Sequence, residues 1–493
     1  MRMKKIVRLL TLLLILPFAI SAQVTTSSIS GTIKQSNGEF LAGATITAIH
    51  VPTGTKYTTI STKSGTFTLP GLRPGGPYTF NAQFVGLKTQ DIEGLILTLG
   101  DDYNVNLVMQ PVEQTLTEVV VSGGKAASNI KTGASTNVGQ RQIATLPSIS
   151  RNITDFTRLT PQANGNAIAG RDGRYNNFTV DGANLNNNFG LSTDPLPGGN
   201  SQPISLDAIE EVSVNIAPAD VRQSNFTGAN IASVTKSGTN QFKGTIYGFY
   251  RDQSFIGTRV GGSKLPTQPD SKSTVYGASV GGPIIKNKLF FFVNAEKEKR
   301  VAPPLTSFRP TGGSGGGNVS QVHIDSLNKF SNYLASQYGY ATGSADGLPN
   351  ANISNYKILA RIDWNINTTH KLTLKYSEMV GDDDRLMSNS VPNGGQSGGP
   401  NTWTTNPRFG NNAMSFENSQ YSFRDVVRSA AIELNSNWNG KFSNQLIATG
   451  TKIRTTRSTP GGVFPFIDIM GDPTKSGVAA TYAGGAKQNY MSA

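Results

Sequence analysis

Residues 356–366 limit the possible folds more tightly than any other part of the chain. Tyr356, Ile358, Ala360, Ile362, Trp364 and Ile366 fall on one face of an extended strand, and Lys357, Arg361, Asp363 and Asn365 on the other. Leu359 is the one break in the pattern. Side chains of a strand point alternately to its two faces, so this stretch has an oily side and a wet side. After Asn367-Thr-Thr-His370 the alternation resumes, with Leu372, Leu374 and Tyr376 set against Lys371, Thr373, Lys375 and Ser377. Strict alternation of this length predicts a hairpin whose strands cross a bilayer.

Connection lengths test that expectation independently. Strands are predicted near 242–252, 273–282, 288–298, 356–366, 372–377, 425–438 and 442–456. The first connection is long, and a short turn over 283–287 follows it. A long Pro-, Gly- and Ser-rich segment then runs to residue 355. Beyond the hairpin come a long polar stretch, 381–421, and the short turn Asn439-Gly440-Lys441. Outer-membrane barrels alternate tight periplasmic turns with longer outer loops, whereas a soluble β-protein has no reason to segregate loop lengths. Tyr250, Phe290, Phe291, Phe292, Trp364 and Trp438 fall near strand ends, where an aromatic girdle would place them; core packing is the alternative for each.

Composition removes several function classes. Mean hydropathy is −0.27, and no long apolar run follows the N-terminus, so no transmembrane helix is expected; a barrel needs none. The net charge of +13 is scattered rather than gathered into a basic, aromatic-interleaved stripe. An anionic lipid surface is therefore the expected partner, and nucleic acid is not. Cysteine is absent, which removes disulfides, thiolate metal sites, thiol catalysis and a lipoprotein anchor. The three histidines, His50, His323 and His370, belong to no zinc motif. No catalytic residue, metal or cofactor is expected.

Residues 1–22 read as a cleaved secretory signal peptide. Arg2, Lys4, Lys5 and Arg8 form its basic region, 9–20 its apolar stretch, and Ser21 and Ala22 its small-residue end. Residues 23–110 read as a small all-β domain of short β-branched runs separated by Gly and Pro clusters. Gly38-Glu-Phe-Leu41-Ala-Gly43-Ala44-Thr45 and Ser64-Gly-Thr-Phe67-Thr-Leu-Pro70-Gly-Leu-Arg-Pro74-Gly carry a resemblance to the carboxypeptidase regulatory-like domain, a prealbumin-like sandwich also described as a carbohydrate-binding-like fold. That label does not imply sugar binding; a structural spacer is the plainer reading.

In the linker 111–127, Leu116, Thr117, Glu118, Val119, Val120 and Val121 form a β-branched run ending in glycines. By propensity it is an ordinary edge strand able to extend another sheet. It also resembles the TonB box of receptors that carry this N-terminal extension, which implies TonB and its inner-membrane energising complex as partners. Residues 128–240 resemble the plug domain of TonB-dependent receptors through Ile143-Ala-Thr-Leu146-Pro147, the short helix candidate Ile153-Thr-Asp-Phe156, Phe178-Thr-Val180-Asp181-Gly182, Leu206-Asp-Ala-Ile209-Glu210-Glu211-Val212 and Ile231-Ala-Ser-Val234-Thr235. Asn215-Ile-Ala-Pro218 stands where many importers carry Arg-Gly-Pro, and this version is similar to the Oar-like subgroup.

The fold expected is therefore mainly β: a sandwich, an α+β plug, and over 241–493 an incomplete large antiparallel transmembrane barrel. The family's plugged barrels have about 22 strands, and about seven are countable here, so an N-terminal portion of a longer outer-membrane protein is expected. Within the plug, Arg171, Arg174, Asn176, Asn177 and Asp181 are candidate ligand-facing residues, against the alternative that they brace the plug. Asp382-Asp383-Asp384 reads as an exposed acidic turn rather than a calcium loop, and Glu296-Lys-Glu-Lys-Arg300 as a solvated run at an outer strand end. The resemblance implies transport of an unidentified ligand, peptide or glycan, driven from the inner membrane, with outer-membrane lipid or lipopolysaccharide around the barrel. The alternatives are an Oar-like structural, adhesion or secretion-assisting barrel, and an enzyme; the missing histidine–glutamate motif argues against the last.

Overall fold

A computed structural model of the chain describes residues 24–112, 134–148, 151–187, 196–198, 201–218, 220, 223–265, 270–304, 308–314, 318–346, 350–385, 413–438, 442–465, 467–469 and 480–483. The expected signal peptide and the 116–121 segment lie outside these residues, as does the turn at 439–441.

The N-terminal part is a two-sheet sandwich. Its strands are β1 (Ser27–Gln35), β2 (Thr45–His50), β3 (Thr55–Ile60), β4 (Thr66–Leu72), β5 (Gly75–Gln83), β6 (Gln90–Leu97) and β7 (Asp102–Met109). One sheet has the order β4-β1-β7 and the other β3-β2-β5-β6. β1 buries every second side chain, and its Ile29 and Ile33 meet Ile46, Leu69, Tyr78 and Phe80 in a closed core. Each such side chain contributes about 1.5–3 kcal/mol by leaving water. β1 pairs in parallel with β7, and at Gly31 a Cβ would lie 1.7 Å from the Val105 carbonyl oxygen, so no side chain fits there.

A second sheet follows. Its strands are β8 (Ala134–Gly139), β9 (Asn177–Val180), β10 (Ala183–Asn184), β11 (Ile209–Ile216) and β12 (Asn230–Thr235), in the order β10-β9-β12-β11-β8. Helices α1 (Gln140–Thr145) and α2 (Ile153–Thr157) lie between β8 and β9 in the chain. β9 and β12 are buried at every position, so this sheet is covered on both faces.

Helix α2 and the sandwich supply part of that cover, and a seven-stranded antiparallel meander supplies the rest. Its strands, β13 (Lys243–Asp252), β14 (Lys272–Ile285), β15 (Leu289–Pro304), β16 (Asn350–Asn365), β17 (His370–Arg385), β18 (Tyr421–Trp438) and β19 (Phe442–Ser458), pair in chain order. On β16 the burial is the reverse of a soluble strand: Ile358, Ile362 and Trp364 are exposed, whereas Lys357, Arg361 and Asp363 are buried. Ile432 and Trp438 on β18 repeat this outward apolar face. Apolar outside and ionic inside is the arrangement of a strand whose outer solvent is lipid. Leu359, the break in the alternation, points inward and packs against the second sheet with Phe292, Met379 and Val427.

Several sequence expectations need correction. The strands β14 to β19 run 14 to 18 residues, longer than the period-two signal and longer than the 9–11 residues that cross a bilayer. Oily alternation stops where the outer face leaves lipid, but the hydrogen-bonded ladder continues. Asp382, Asp383 and Asp384 consequently lie within β17 and not in a turn: Asp383 is buried on Arg385 at 2.6 Å, and Asp382 faces Arg424. The run 296–300 is likewise part of β15, with Glu296 and Glu298 buried in the lumen. Phe290 and Phe292 are buried inward, so of the three phenylalanines only Phe291 belongs to the outer face.

The long segment before β16 holds a helix, α3 (Ile324–Tyr338). The Nδ1 atom of His323 accepts the Asp325 amide at its start, and Gly339 closes it in the left-handed region. Leu327 and Leu334 of α3 pack with Val322, Tyr340, Met414 and Phe416 into a small core of loop segments. The Leu327, Phe330 and Leu334 spacing was a legible helical stripe, diluted by its Gly- and Ser-rich surroundings. Because the chain lacks cysteine, single-cysteine probes report topology cleanly. In intact cells Gln337→Cys on α3 is expected to react with an impermeant maleimide, and Lys286→Cys in the β14–β15 turn only after permeabilisation.

Candidate functional site: the ionic clamp in the lumen

A dense buried polar cluster among the described residues lies where all three parts of the chain meet. It begins at the turn after β9. Asp181 adopts a positive φ of 51°, which Asp tolerates better than most residues. Its carboxylate accepts the Thr235 amide at 3.0 Å and the Thr235 hydroxyl at 2.6 Å. These bonds tie the end of β9 to the end of β12 and aim Asp181 at the barrel wall.

From the wall, Lys375 of β17 reaches Asp181 at 3.0 Å and Arg361 of β16 approaches it at 3.8 Å. Arg361 forms a two-pronged pair with Asp363, both contacts 2.9 Å, and donates to the Thr235 carbonyl at 2.6 Å. Lys375 also lies 3.5 Å from Glu433 of β18. The sandwich supplies the last cation: Arg73 pairs with Asp363 at 2.6 Å and donates to the Ser237 hydroxyl at 2.7 Å. Three carboxylates thus meet three cations. Asp181, Asp363, Glu433, Arg361 and Lys375 are each less than a tenth exposed, so neutrality matters. Burial pushes the Asp181 carboxyl up, but Lys375 and Arg361 outweigh it and hold it below the usual carboxylate range.

The sandwich seals the same end. Thr25 donates to Glu433 at 2.7 Å, and the Asn365 side chain donates to Thr55 at 2.9 Å. The Lys371 ammonium lies 4.3 Å from the centroid of the Tyr57 ring. Val24 and Leu99 form a small apolar contact with Ala232 and Val234, and the Leu99 amide donates to Glu211 at 3.0 Å. A cavity of about 270 Å³ remains between the three parts, lined by His50, Tyr57, Arg73, Asp181, Thr235, Arg361 and Lys371 among others. His50 is buried beside it on Thr53 at 2.7 Å; burial, then Arg73, lowers its pKa to about 3.

Contacts toward the long-loop end are of mixed type. Ser205 donates to Glu296 at 2.7 Å, and Glu296 pairs with Lys357 at 2.7 Å. Arg151 pairs with Asp207 and stacks 3.8 Å from the centroid of Phe249. Sequence reading did not single out Arg151, and it placed Lys357, Arg361 and Lys375 on the wet faces of strands without giving them partners. The inward charges of 356–366 were visible as a wet face, but nothing local tells which strand charge meets which turn.

Of the candidate ligand-facing residues, the structure brings Asp181 alone to the clamp. Asn176 is buried, accepting the Ala229 amide at 3.0 Å and donating to the Asn166 carbonyl at 2.9 Å. Asn177 is also buried and donates to Asn230 at 3.1 Å. Arg174 is exposed and pairs with Asp172 at 2.9 Å, and Arg171 is exposed in the same loop. Leu116, Thr117, Glu118, Val119, Val120 and Val121 lie outside the described residues. Among the described residues no group of three His, Asp or Glu side chains could hold a metal.

Comparison with known proteins bears on this geometry. Residues 234–492 match the outer membrane beta barrel domain family. The chain belongs to that family. Residues 28–110 match the carboxypeptidase regulatory-like domain, and the barrel places the protein in the outer membrane. A curated relative, the TonB-dependent transporter Oar of Myxococcus xanthus, is 27% identical over 317 residues, 59% of this chain. The chain spans 28% of the length of that relative. Among solved structures, the outer membrane transporter YddB of Escherichia coli aligns over 72% of this chain and 43% of its own, at 12% identity and a TM-score of 0.45. The siderophore receptor PirA of Pseudomonas aeruginosa aligns over 66% and 41%, at 13% identity and a TM-score of 0.38.

Asp181→Asn in the barrel protein should weaken docking of the second sheet by about 3–5 kcal/mol, because it leaves buried cations short of an anion. Faster hydrogen exchange in β9 and β12, with the barrel strands unchanged, would show it. A separate expectation concerns acid. His50 has a folded value near 3 against an ordinary 6.5, so the unfolded sandwich binds more protons between those limits and stability falls as pH drops through that window. Asp181 adds a loss at lower pH, below the ordinary carboxylate value. Thermal unfolding of the sandwich should be markedly less acid-sensitive between pH 6.5 and 4 in His50→Asn.

Proposed function

We propose that the full-length protein is a TonB-dependent outer-membrane transporter. The short turns and the sandwich face the periplasm and the long loops face outside, as loop-length asymmetry implies. Ligand is bound from outside, the second sheet is the plug that blocks the lumen, and Leu116 to Val121 pair with TonB as an added strand. Force from the inner membrane then displaces part of the plug. The observation that carries this reading is the clamp: a sheet with no strand hydrogen-bonded into the wall is held in the lumen by ion pairs and a shared apolar contact. An obstruction held in that way can be released without unfolding the wall. The 27% identity to a TonB-dependent transporter supports the same reading.

Full-length protein should co-purify with the periplasmic domain of TonB, and deletion of residues 116–121 should abolish that association. Undiminished TonB association in the deletion variant would overturn the coupling role. Loss of surface assembly or secretion with no uptake defect would instead favour a structural or secretion-assisting barrel.

A further inference from the structure

We infer that the sandwich is a releasable latch on the second sheet. Docked, its Arg73 completes the charge balance of the clamp and locks that sheet in the lumen; undocked, it leaves the clamp one cation short and the sheet loosely seated. The inference rests on the reading of the second sheet as the plug, and it concerns what controls release of that plug.

The sandwich is bonded to the plug and to the wall at the same time. On the plug side, the Pro52 carbonyl accepts the Asn240 amide at 2.8 Å, Arg73 donates to Ser237, and the Leu99 amide donates to Glu211. Val24 and Leu99 add the apolar contact with Ala232 and Val234. On the wall side, Arg73 pairs with Asp363, Thr55 accepts from Asn365, Tyr57 lies under Lys371 and Thr25 donates to Glu433. Those wall residues stand on β16, β17 and β18, each of which is paired on both sides within the meander. A body bonded to both partners across their shared end acts as a staple.

Charge makes the staple more than a passive contact. Asp363 takes the Nε and one terminal nitrogen of Arg361, each at 2.9 Å, and leaves the other terminal nitrogen to the Thr235 carbonyl and Asp181. Lys375 is divided in the same way between Asp181 at 3.0 Å and Glu433 at 3.5 Å. With Arg73 in place, Asp363 has a cation of its own from the sandwich, and Arg361 can serve the plug. Without it, Asp181, Asp363 and Glu433 share Arg361 and Lys375 alone. Glu210, Lys236 and Lys371 line the same cavity, but among the described residues none of them forms an ion pair with these six. The anion that loses most is Asp181, because both of its cations have a competing carboxylate on the wall. Undocking of the sandwich therefore weakens the seat of the plug through Asp363 and Arg361, with no contact between Arg73 and Asp181 required. Linkage makes the effect mutual, so a displaced plug also weakens sandwich docking.

The test uses full-length protein in detergent micelles and follows two readouts. Hydrogen exchange in β9 and β12 reports the seat of the plug. Maleimide reactivity of Val24→Cys reports docking, since Val24 is 6% exposed and the chain has no other cysteine. Arg73→Gln should raise both, by a factor in the range of about 5–150, with exchange in the sandwich core strands β1 and β5 unchanged. Adding Glu433→Gln restores two carboxylates to two cations. Exchange in β9 and β12 should then fall back toward wild type while position 24 stays reactive, a rescue that loss of contacts cannot produce. Plug exchange in the double variant as fast as in Arg73→Gln alone would overturn the inference. So would slow plug exchange in Arg73→Gln despite a reactive position 24, or an unreactive position 24 in that variant. Heat-modifiable gel migration confirms a folded barrel, and a double variant that fails this check leaves the Arg73→Gln comparison to decide. Neither readout involves TonB or cargo, so failure here and failure of the co-purification assay are separate results.

Discussion

A charged side chain on a barrel wall has two choices, lipid or lumen, and the first is costly enough that the second decides the architecture. Lys357, Arg361, Asp363, Lys375 and Glu433 all point inward. Once inside and buried they need opposite charge, because an unpaired buried ion costs more than most single interactions in a protein contribute. The wall cannot satisfy itself. Arg361 and Asp363 pair on one strand, but Lys375 lies between Glu433 and a partner that only the second sheet supplies, Asp181. The second sheet is thus held in the lumen by the electrostatics of the wall as much as by its apolar contacts with Phe292, Leu359, Met379 and Val427.

The sandwich enters the same account. Without Arg73 the clamp would hold three carboxylates and two cations, and Asp363 would rely on Arg361 alone. Glu433 likewise depends on Thr25 for one of its hydrogen bonds. The linker containing residues 116–121 joins the sandwich to the second sheet, so a pull on that linker loads both bodies that close the clamp. Docked sandwich and seated sheet are therefore coupled through shared ions, and movement of either exposes charge to water that the other was neutralising.

On the outer surface the same physics runs in reverse. Strands continue past the lipid boundary, and where lipid ends outward charge becomes permissible. Asp382, Arg424, Arg428 and Arg454 mark that boundary. The periodicity of the sequence locates only the apolar band; the extra strand length beyond it is held by a ladder whose outward side chains are polar.

Local chemistry made much of this legible. Alternation in 356–366 specifies a strand with a wet and an oily face, since side-chain direction on a strand has period two. Short and long connections specify which strand ends lie together, and Asp181-Gly182 specifies a turn. The inward Phe290 and Phe292 and the strand position of Asp382 to Asp384 were misread because each depends on what packs against it, and the α3 stripe was passed over among its Gly- and Ser-rich surroundings. Tertiary structure alone decided the clamp. Asp181 meets Arg361 and Lys375, and Arg73 meets Asp363, across separations at which no local pattern acts. Ion pairing has no sequence period: which charge finds which is settled only when three folded bodies close around one buried site.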